Sequence, residues 1–211
     1  MNNQFGISMD YAIALKSLRA SDPILGQVID QIGCCTLDQT QHPGDLLYSL
    51  SRSIIYQQLS TASATAIYQR FTQLYAGQAF TSDAILSTPD ETLRGVGLSR
   101  QKIAYLKDLA QKISDGLPAI ADLELLDDET IIQTLTQVKG IGRWTVHMLL
   151  IFRLHRWDVL PVDDLGIRAG IRRVYQLAEL PNKKTVEAIA QPWRPYRTIA
   201  SWYLWRAQDN L

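Results

Sequence analysis

One pattern recurs along this chain and limits what it can fold into: a capping residue, apolar residues at helical spacing, and a glycine stop. The segment "DPILGQVIDQIG" shows the whole pattern, with Asp22 as cap, Pro23 at the first helical position and Gly33 at the end. The segment "SRQKIAYLKDLAQKISDG" repeats it with a serine cap and a glycine stop. No β-branched run with strict alternation stands between glycines. The sequence therefore predicts an all-α fold of about ten helices joined by short loops.

Composition permits an ordinary globular core and limits the cofactors. Of the 211 residues, 46% are hydrophobic and 20% are charged, which is typical of globular domains and predicts one domain or two small lobes. The two cysteines, Cys34 and Cys35, are adjacent, and two thiols cannot hold a structural zinc or an iron–sulfur cluster. No apolar run has the roughly 18 residues of a membrane helix, and the N-terminus lacks the basic start of a signal peptide. We therefore expect a reduced, intracellular protein without an iron–sulfur cluster.

The net charge is zero, but it is unevenly distributed. Residues 139–211 contain 12 Lys and Arg against 6 Asp and Glu, a net of +6, and residues 1–138 have a net of −6. A basic half fits a surface that binds a polyanion such as nucleic acid. Chance segregation of charges on solvated faces explains the same numbers. The asymmetry alone does not decide between the two.

The segment "VKGIGRWTVHMLL" predicts a helix, a glycine hairpin and a second helix. Gly140 and Gly142 flank Ile141, and two glycines at this spacing allow positive φ angles and a close backbone approach. The second helix begins just after Gly142, so its unpaired N–H groups form a ready site for an anion such as phosphate. A plain turn between antiparallel helices is the alternative.

Two adjacent aspartates, Asp163 and Asp164, follow in "VLPVDDLGI". A carboxylate can stabilise a sugar with oxocarbenium character, as in glycoside cleavage, and can orient or deprotonate water. Aspartate is also common as the cap of a helix, so both residues could be caps without a chemical role.

These motifs resemble those of the helix-hairpin-helix DNA glycosylase superfamily, of the 3-methyladenine DNA glycosylase II type. The hairpin "LTQVKGIGRWTVHMLLIF" is similar to that of the family, and "LPVDDLGIRAGIRRVY" is similar to its catalytic loop. Three further segments match: "SIIYQQLSTASATAIYQRF", "LRGVGLSRQKIAYLKDLA" and "PWRPYRTIASWYLWR". The resemblance covers roughly residues 40–206 and implies a compact form without the N-terminal β-rich domain of longer members.

The resemblance implies one helix-hairpin-helix glycosylase unit over residues 1–211, built from two helical lobes with a cleft between them. The expected central lobe covers roughly residues 40–135. The second lobe combines residues 1–39 with 136–211 and contains the hairpin, the catalytic loop and the C-terminal helix.

The same resemblance assigns residues to the chemistry. Asp164 corresponds to the catalytic carboxylate, which leaves Asp163 as the expected helix cap. Trp144 and Trp202 match aromatic positions of the base pocket, where a cationic alkylated purine would stack on an indole. Met148 stands at a further pocket position that is aromatic in the family, and methionine stacks less well. We expect the other tryptophans, Trp157, Trp193 and Trp205, to serve in packing.

The remaining implied contacts are with the DNA backbone and the duplex stack. Gln58, with Gln57 beside it, stands where the family inserts a side chain into the duplex, although both could be plain surface residues. The expected phosphate contacts are Gly140, Gly142, Thr145 and Arg143. Family members often hold a monovalent cation, Na⁺ or K⁺, at hairpin carbonyls that correspond to those of Thr136, Val138 and Ile141.

Together these expectations describe a monomeric, monofunctional enzyme that excises alkylated purines from double-stranded DNA and leaves an abasic site. Bifunctional relatives have a Schiff-base lysine where this chain has Trp144, so strand cleavage by that route is not expected. Two alternatives stay open: a non-catalytic DNA-binding module, and a glycosylase for another lesion such as hypoxanthine or etheno adducts. The expected location is the cytoplasm or nucleoid in a prokaryote and the nucleus in a eukaryote.

Overall fold

The computed structural model describes residues 11–39, 44–76 and 80–210, and within them the chain is helical. The α-helices are α1 (Tyr11–Ser21), α2 (Pro23–Ile32), α3 (Leu46–Tyr56), α4 (Thr61–Gln73), α5 (Ser82–Ser87), α6 (Asp90–Gly95), α7 (Arg100–Ser114), α8 (Ile120–Leu123), α9 (Asp128–Leu135), α10 (Arg143–Phe152), α11 (Leu165–Val174), α12 (Lys183–Ala190) and α13 (Arg197–Asn210). Two 3₁₀ turns, Leu37–Gln39 and Gln191–Trp193, join them. The all-α prediction is confirmed, since the described residues contain no strand. The expected number of about ten helices was low because α5, α6 and α8 are only one or two turns long.

Side-chain caps fix most helix starts. In eight helices the N-cap side chain accepts a hydrogen bond from a backbone N–H in the first turn, which satisfies one of the unpaired donors there. These caps are Asp22, Asp45, Ser60, Thr81, Ser99, Asp127, Asp164 and Asn182. The predicted start of α2 is confirmed, with Pro23 as its first residue and Gly33 as its C-cap. The sequence "TASATAIYQRFTQLYAG" also predicts a helix that ends at Gly77, a residue that lies outside the described ranges.

The chain divides into two compact units. The discontinuous unit comprises residues 1–41 and 150–211, and the central unit comprises residues 42–149. The first boundary lies close to the expected residue 40, but the second lies after Leu149 rather than at residue 135. The hairpin therefore belongs to the central unit, where Gln57 and Asp108 bond to its backbone.

A buried aspartate holds the discontinuous unit together. Asp22 is 8% exposed and caps α2. Its carboxylate also accepts hydrogen bonds from the Tyr175 hydroxyl and, at 2.8 Å, from the Trp193 indole N–H. The Tyr203 hydroxyl donates to the Gly33 carbonyl at 2.6 Å. These contacts join the N-terminal helices to the C-terminal segment, and they satisfy a charge that would be costly to bury alone.

Helices α11 and α13 cross closely because α11 has glycines at the crossing. A Cβ atom on Gly170 would lie 2.6 Å from the Leu204 carbonyl oxygen, well inside van der Waals contact. This close crossing positions the N-terminus of α11 beside the side chains of α13.

In the central unit, α7 packs against α3, α5 and α6. Edge-to-face contacts among aromatic rings fill the space beside α4. The rings are Tyr48, Tyr56, Tyr68, Phe71, Tyr75 and Phe80. No helix in the described part of the chain is long and apolar enough to cross a membrane.

Candidate functional site

Asp164 is the N-cap of α11 and is half-buried. Its Oδ1 accepts two hydrogen bonds of 2.8 Å, one from the Ile167 backbone N–H and one from Trp205 Nε1. One donor belongs to the first turn of α11 and the other to a side chain of α13. The side chain is therefore oriented by two independent elements, α11 and α13.

The expectation that Asp163 caps α11 was wrong. Its carboxylate instead pairs with the Lys183 ammonium at 2.5 Å, and both side chains are well exposed. Asp164 occupies the cap position one residue later, so one side chain serves as both the cap and the candidate catalytic carboxylate. The adjacent Asp163 is a surface ion-pair partner.

Trp205 packs as expected, but it also donates a hydrogen bond that was not predicted. Besides its bond to Asp164, its ring stacks on Phe152 with centroids 5.7 Å apart and planes at 25°. Gly166 makes room for this arrangement, since a Cβ there would lie 2.9 Å from Trp205 Cδ1 and 3.0 Å from Asp164 Oδ1. Gln208 Nε2 donates to the Gly166 carbonyl at 2.9 Å and closes the cluster.

The loop that leads to Asp164 is anchored on the start of α13. Thr198 Oγ1 donates to the Arg156 carbonyl at 2.6 Å and accepts from the Val159 N–H at 2.9 Å. Arg197 binds the Asp158 carboxylate with Nε at 2.5 Å and Nη2 at 2.9 Å, in the bidentate geometry of strong ion pairs. Helix α13 thus fixes both ends of the loop from Arg156 to Asp164.

In the central unit, the glycine hairpin turns at Gly140. This residue has φ +81°, and a Cβ there would lie 2.2 Å from the Tyr105 ring, so only glycine fits. The Ile141 N–H donates to the Val138 carbonyl at 3.0 Å and closes the turn. Gly142 differs from the expectation: it has no positive φ, and a Cβ would meet no atom within 4 Å. Its carbonyl accepts from the Val146 N–H at 3.2 Å, which begins α10.

The two expected phosphate contacts on α10 differ in exposure. Thr145 is 5% exposed, so its hydroxyl lies mostly inside the fold. Arg143 is exposed and binds the Glu129 carboxylate through two nitrogens at 2.7 and 3.0 Å. The hydrogen bonds from Arg143 lower the pKa of Glu129. A phosphate at Arg143 would therefore compete with Glu129 for the guanidinium.

The loop between α3 and α4, residues 57–60, contains both glutamines, and their side chains have different surroundings. Gln58 is exposed and has φ 56°, a left-handed conformation that costs a non-glycine residue about 1 kcal/mol and is frequent at functional sites. Its neighbour Leu59 exposes 39% of its surface, an apolar side chain that the sequence analysis missed. Gln57 points elsewhere: its Nε2 donates to the Gly140 carbonyl at 2.8 Å. Gln58 is thus the better placed candidate for insertion.

The three expected pocket residues differ in exposure. Trp144 is 46% exposed at the start of α10, and Met148, one turn later, is half-buried. Trp202 is 6% exposed, with the Arg206 guanidinium 5.3 Å from its ring centroid. Their assignment to a base pocket stays a prediction.

The hairpin carbonyls allow a test of the expected cation site. The Val138 carbonyl accepts one hydrogen bond and retains a second lone pair, and the carbonyl of Gly140 is used by Gln57. Backbone carbonyls are suitable oxygen ligands for Na⁺ or K⁺, and the Val138 carbonyl is compatible with such a role. The cation site at Thr136, Val138 and Ile141 stays a prediction. Among the described residues, no three His, Cys, Asp or Glu side chains form a cluster that could hold a metal ion.

This geometry agrees with a known family. Residues 51–195 match the family described as HhH-GPD superfamily base excision DNA repair protein, a range that includes the hairpin and Asp164. The chain belongs to the HhH-GPD superfamily. The resemblance predicted from its motifs is thereby confirmed.

Individual HhH-GPD proteins are similar over much of the chain. DNA-3-methyladenine glycosylase 1 of Schizosaccharomyces pombe is 44% identical over 159 residues, which cover 74% of this chain and 70% of that protein. The alkylbase DNA glycosidase-like protein mag2 of the same organism is 34% identical and covers 93% of both chains. A solved structure of the S. pombe 3-methyladenine DNA glycosylase in complex with abasic DNA superimposes with a TM-score of 0.83 at 38% identity, covering 92% of this chain and 95% of that one.

The contact between Trp205 and Asp164 was not predicted from the sequence, because the two residues are 41 positions apart. Trp202 and Trp205 are three positions apart on α13, and both lie in the segment that resembles the family. The weak signal that could have pointed to Trp205 is Gly166 directly after "DDL", because a glycine inside a helix often marks a close approach by another element.

Proposed function

We propose that this HhH-GPD chain is a monofunctional DNA glycosylase that excises alkylated purines, 3-methyladenine and 7-methylguanine-like bases, from double-stranded DNA. The observation that carries the proposal is the half-buried Asp164 carboxylate, oriented through Oδ1 by Ile167 and Trp205. The name of the S. pombe relative, DNA-3-methyladenine glycosylase 1, supports the lesion class.

The reaction breaks the bond between C1′ of the sugar and the purine nitrogen, and the electron pair leaves with the base. An alkylated purine is already cationic, so it leaves as a neutral molecule without an acid. Asp164 stabilises the positive charge that develops on the sugar. A water oxygen then bonds to C1′ and loses a proton to the carboxylate, which leaves an abasic site.

The other site residues would bind DNA and expose the lesion. Chemistry on a base requires that it leave the stack, and Gln58 would fill the gap that remains. The backbone of Gly140 and Gly142 would contact a phosphate, helped by Arg143 once Glu129 releases it. The candidate pocket residues are Trp144, Trp202 and Met148, whose π faces and soft sulfur suit a cationic base.

Two features of the hairpin complete the proposal. Trp144 has no amine, so no Schiff base forms there and the abasic strand stays intact. A monovalent cation held by the carbonyls of Thr136, Val138 and Ile141 would add positive charge beside the bound phosphate. The chemistry on the sugar does not depend on this ion.

The decisive experiment measures free base released from methylated duplex DNA under single-turnover conditions. Asp164→Asn should lower the rate by at least about 100-fold, the scale of a lost catalytic carboxylate, while duplex binding persists. Asp163→Asn is the matched control and should stay within about threefold of wild type, because it loses only a surface ion pair. Strand breaks should appear only after alkali. Binding without base release by the wild-type protein would instead identify a DNA-binding module.

A further inference from the structure

One face of α7 contacts both the loop of residues 57–60 and the glycine hairpin. Lys102, Tyr105 and Asp108 are spaced three residues apart, which places them along one side of the helix. All their partners described below lie within the central unit. We call these three residues the α7 stripe.

Lys102 closes the end of α3. Its ammonium donates to the carbonyl of Ile55 at 2.6 Å and to that of Gln57 at 2.9 Å. The last carbonyls of a helix lack partners within the helix, and a cation there also interacts favourably with the helix dipole. The ammonium is partly buried, and this burial lowers its pKa. Through its two hydrogen bonds, the Lys102 ammonium fixes the backbone that leads into Gln58.

Tyr105 and Asp108 hold the hairpin. The Tyr105 ring fills the space beneath Gly140, where a Cβ would lie 2.2 Å away. The Asp108 carboxylate accepts from the Lys139 backbone N–H at 2.8 Å and pairs with its ammonium at 3.2 Å. Burial alone would raise the pKa of Asp108, but the contacts with Lys139 outweigh it and lower the pKa.

Gln57 joins the two loops directly. Its backbone carbonyl is held by Lys102, and its side-chain amide donates to the Gly140 carbonyl at 2.8 Å. The neighbouring Gln58 keeps a left-handed backbone conformation, which persists only where the surroundings impose it. The backbone on the N-terminal side of Gln58 is thus fixed by the α7 stripe and by the hairpin.

We propose that Gln57 and Lys102 are positioning residues that couple phosphate binding at the hairpin to insertion of Gln58 into the duplex. The bond from Gln57 to Gly140 makes the two loops one rigid body, so that docking of the hairpin sets the depth and direction of Gln58. This inference rests on the proposed role of Gln58. Neither Gln57 nor Lys102 contacts the reacting atoms in this scheme.

The test separates insertion from chemistry. Duplexes contain a tetrahydrofuran abasic analogue opposite 2-aminopurine, whose fluorescence rises when a side chain displaces its stacking neighbours. Gln57→Ala and Lys102→Met should reduce this rise and weaken binding of the abasic duplex by about tenfold, while binding of undamaged duplex changes by less than about threefold. Lys102→Arg should lose less than Lys102→Met, because a guanidinium keeps N–H donors for the carbonyls.

Matched controls and a double-mutant cycle make the result specific. Lys107→Met removes an ion-paired lysine from the same helix, and Gln69→Ala removes an exposed glutamine from α4, so both should behave as wild type. Adding Gln57→Ala to Gln58→Ala should cause no further loss of fluorescence, since Gln57 acts through Gln58. Thermal melting of each variant identifies loss of folding, and if Lys102→Met melts early, Gln57→Ala still carries the test.

Several outcomes would overturn the coupling. The first is that the losses of fluorescence in the double variant are additive. The second is that Gln57→Ala gives the wild-type rise in fluorescence, and the third is that Gln58→Ala does not change that rise. The slope of the logarithm of the binding constant against the logarithm of the salt concentration is a further check. If Lys102→Met reduced this slope by about one, Lys102 would be a direct phosphate contact and the coupling would be refuted. Insertion without base release by the wild-type protein would refute the proposed function and leave the coupling intact.

Discussion

At the scale of single residues, Asp164 combines an observed role as the cap of α11 with the chemical role proposed for it. The motif "DDL" predicted a carboxylate at the start of α11, but it could not predict which aspartate caps the helix. Both have the same side chain and adjacent positions, and the choice depends on two distant partners. Lys183 draws Asp163 to the surface, and Trp205 holds Asp164. The contact with Lys183 leaves no trace in the local sequence, and the only local sign of Trp205 is Gly166.

The indole N–H of Trp205 can be removed while its ring is kept. Trp205→Phe should preserve most of the stacking on Phe152 but leave Oδ1 of Asp164 with one donor fewer. We expect the single-turnover rate of base release to fall by about 10- to 100-fold, because a misplaced carboxylate loses alignment with the sugar. Trp157→Phe alters a tryptophan that contacts Tyr196 and should leave the rate unchanged. Equal rates for both variants would show that Trp205 contributes to packing and that its hydrogen bond to Asp164 does not affect base release.

At the scale of helices and turns, local chemistry predicted most of the structure. Caps and glycine stops are short-range signals, so the starts of α2 and α7 could be read from the sequence. The hairpin shows a feature that local sequence could not predict. Gly140 and Gly142 look equivalent in "KGIGR", but only Gly140 has a positive φ, and only there does a ring from α7 occupy the place of a side chain.

The two hairpin glycines should therefore respond differently to the same change. Gly140→Ala should lower the free energy of unfolding by about 2–4 kcal/mol, from a left-handed alanine and the overlap with Tyr105. Gly142→Ala, whose Cβ enters open space, should change it by less than about 1 kcal/mol. Urea denaturation followed by circular dichroism measures both. Tyr105→Ala should restore part of the loss in the Gly140→Ala background, and equal losses for the two glycines would contradict the assigned turn.

At the scale of the whole molecule, two helical lobes were expected, with the second boundary near residue 135. The structure instead divides the chain after Leu149. The resemblance assigned the hairpin to the lobe of the catalytic loop. In the structure the hairpin is bonded to Gln57 and Asp108, which lie far from it in sequence. Similar long-range bonds, from Asp22 to Tyr175 and Trp193, build the discontinuous unit. Side chains that meet only after folding cannot be paired from local patterns.

The buried hydroxyls of both units make a prediction about alkaline pH. Burial is the largest cause of a raised pKa for five tyrosines, Tyr11, Tyr68, Tyr75, Tyr175 and Tyr203. Such a group is protonated more readily in the folded state, so the stability it contributes is complete below its unfolded pKa of about 10 and falls as pH rises further. Between its unfolded and its folded pKa, one such tyrosine makes the free energy of unfolding fall by at most about 1.4 kcal/mol per pH unit.

Removal of one of these hydroxyls tests the assignment. Tyr175→Phe loses the bond to Asp22, so it should be less stable than wild type at pH 8. Between pH 10 and about 12, however, its free energy of unfolding should fall less steeply than that of wild type, by about 1.4 kcal/mol per pH unit, because one titrating group is gone. Trp157→Phe removes no titrating group and should keep the wild-type slope. If the Tyr175→Phe curve ran parallel to that of wild type, the alkaline loss of stability would have to come from other groups, such as Cys35, whose pKa burial raises to about 11.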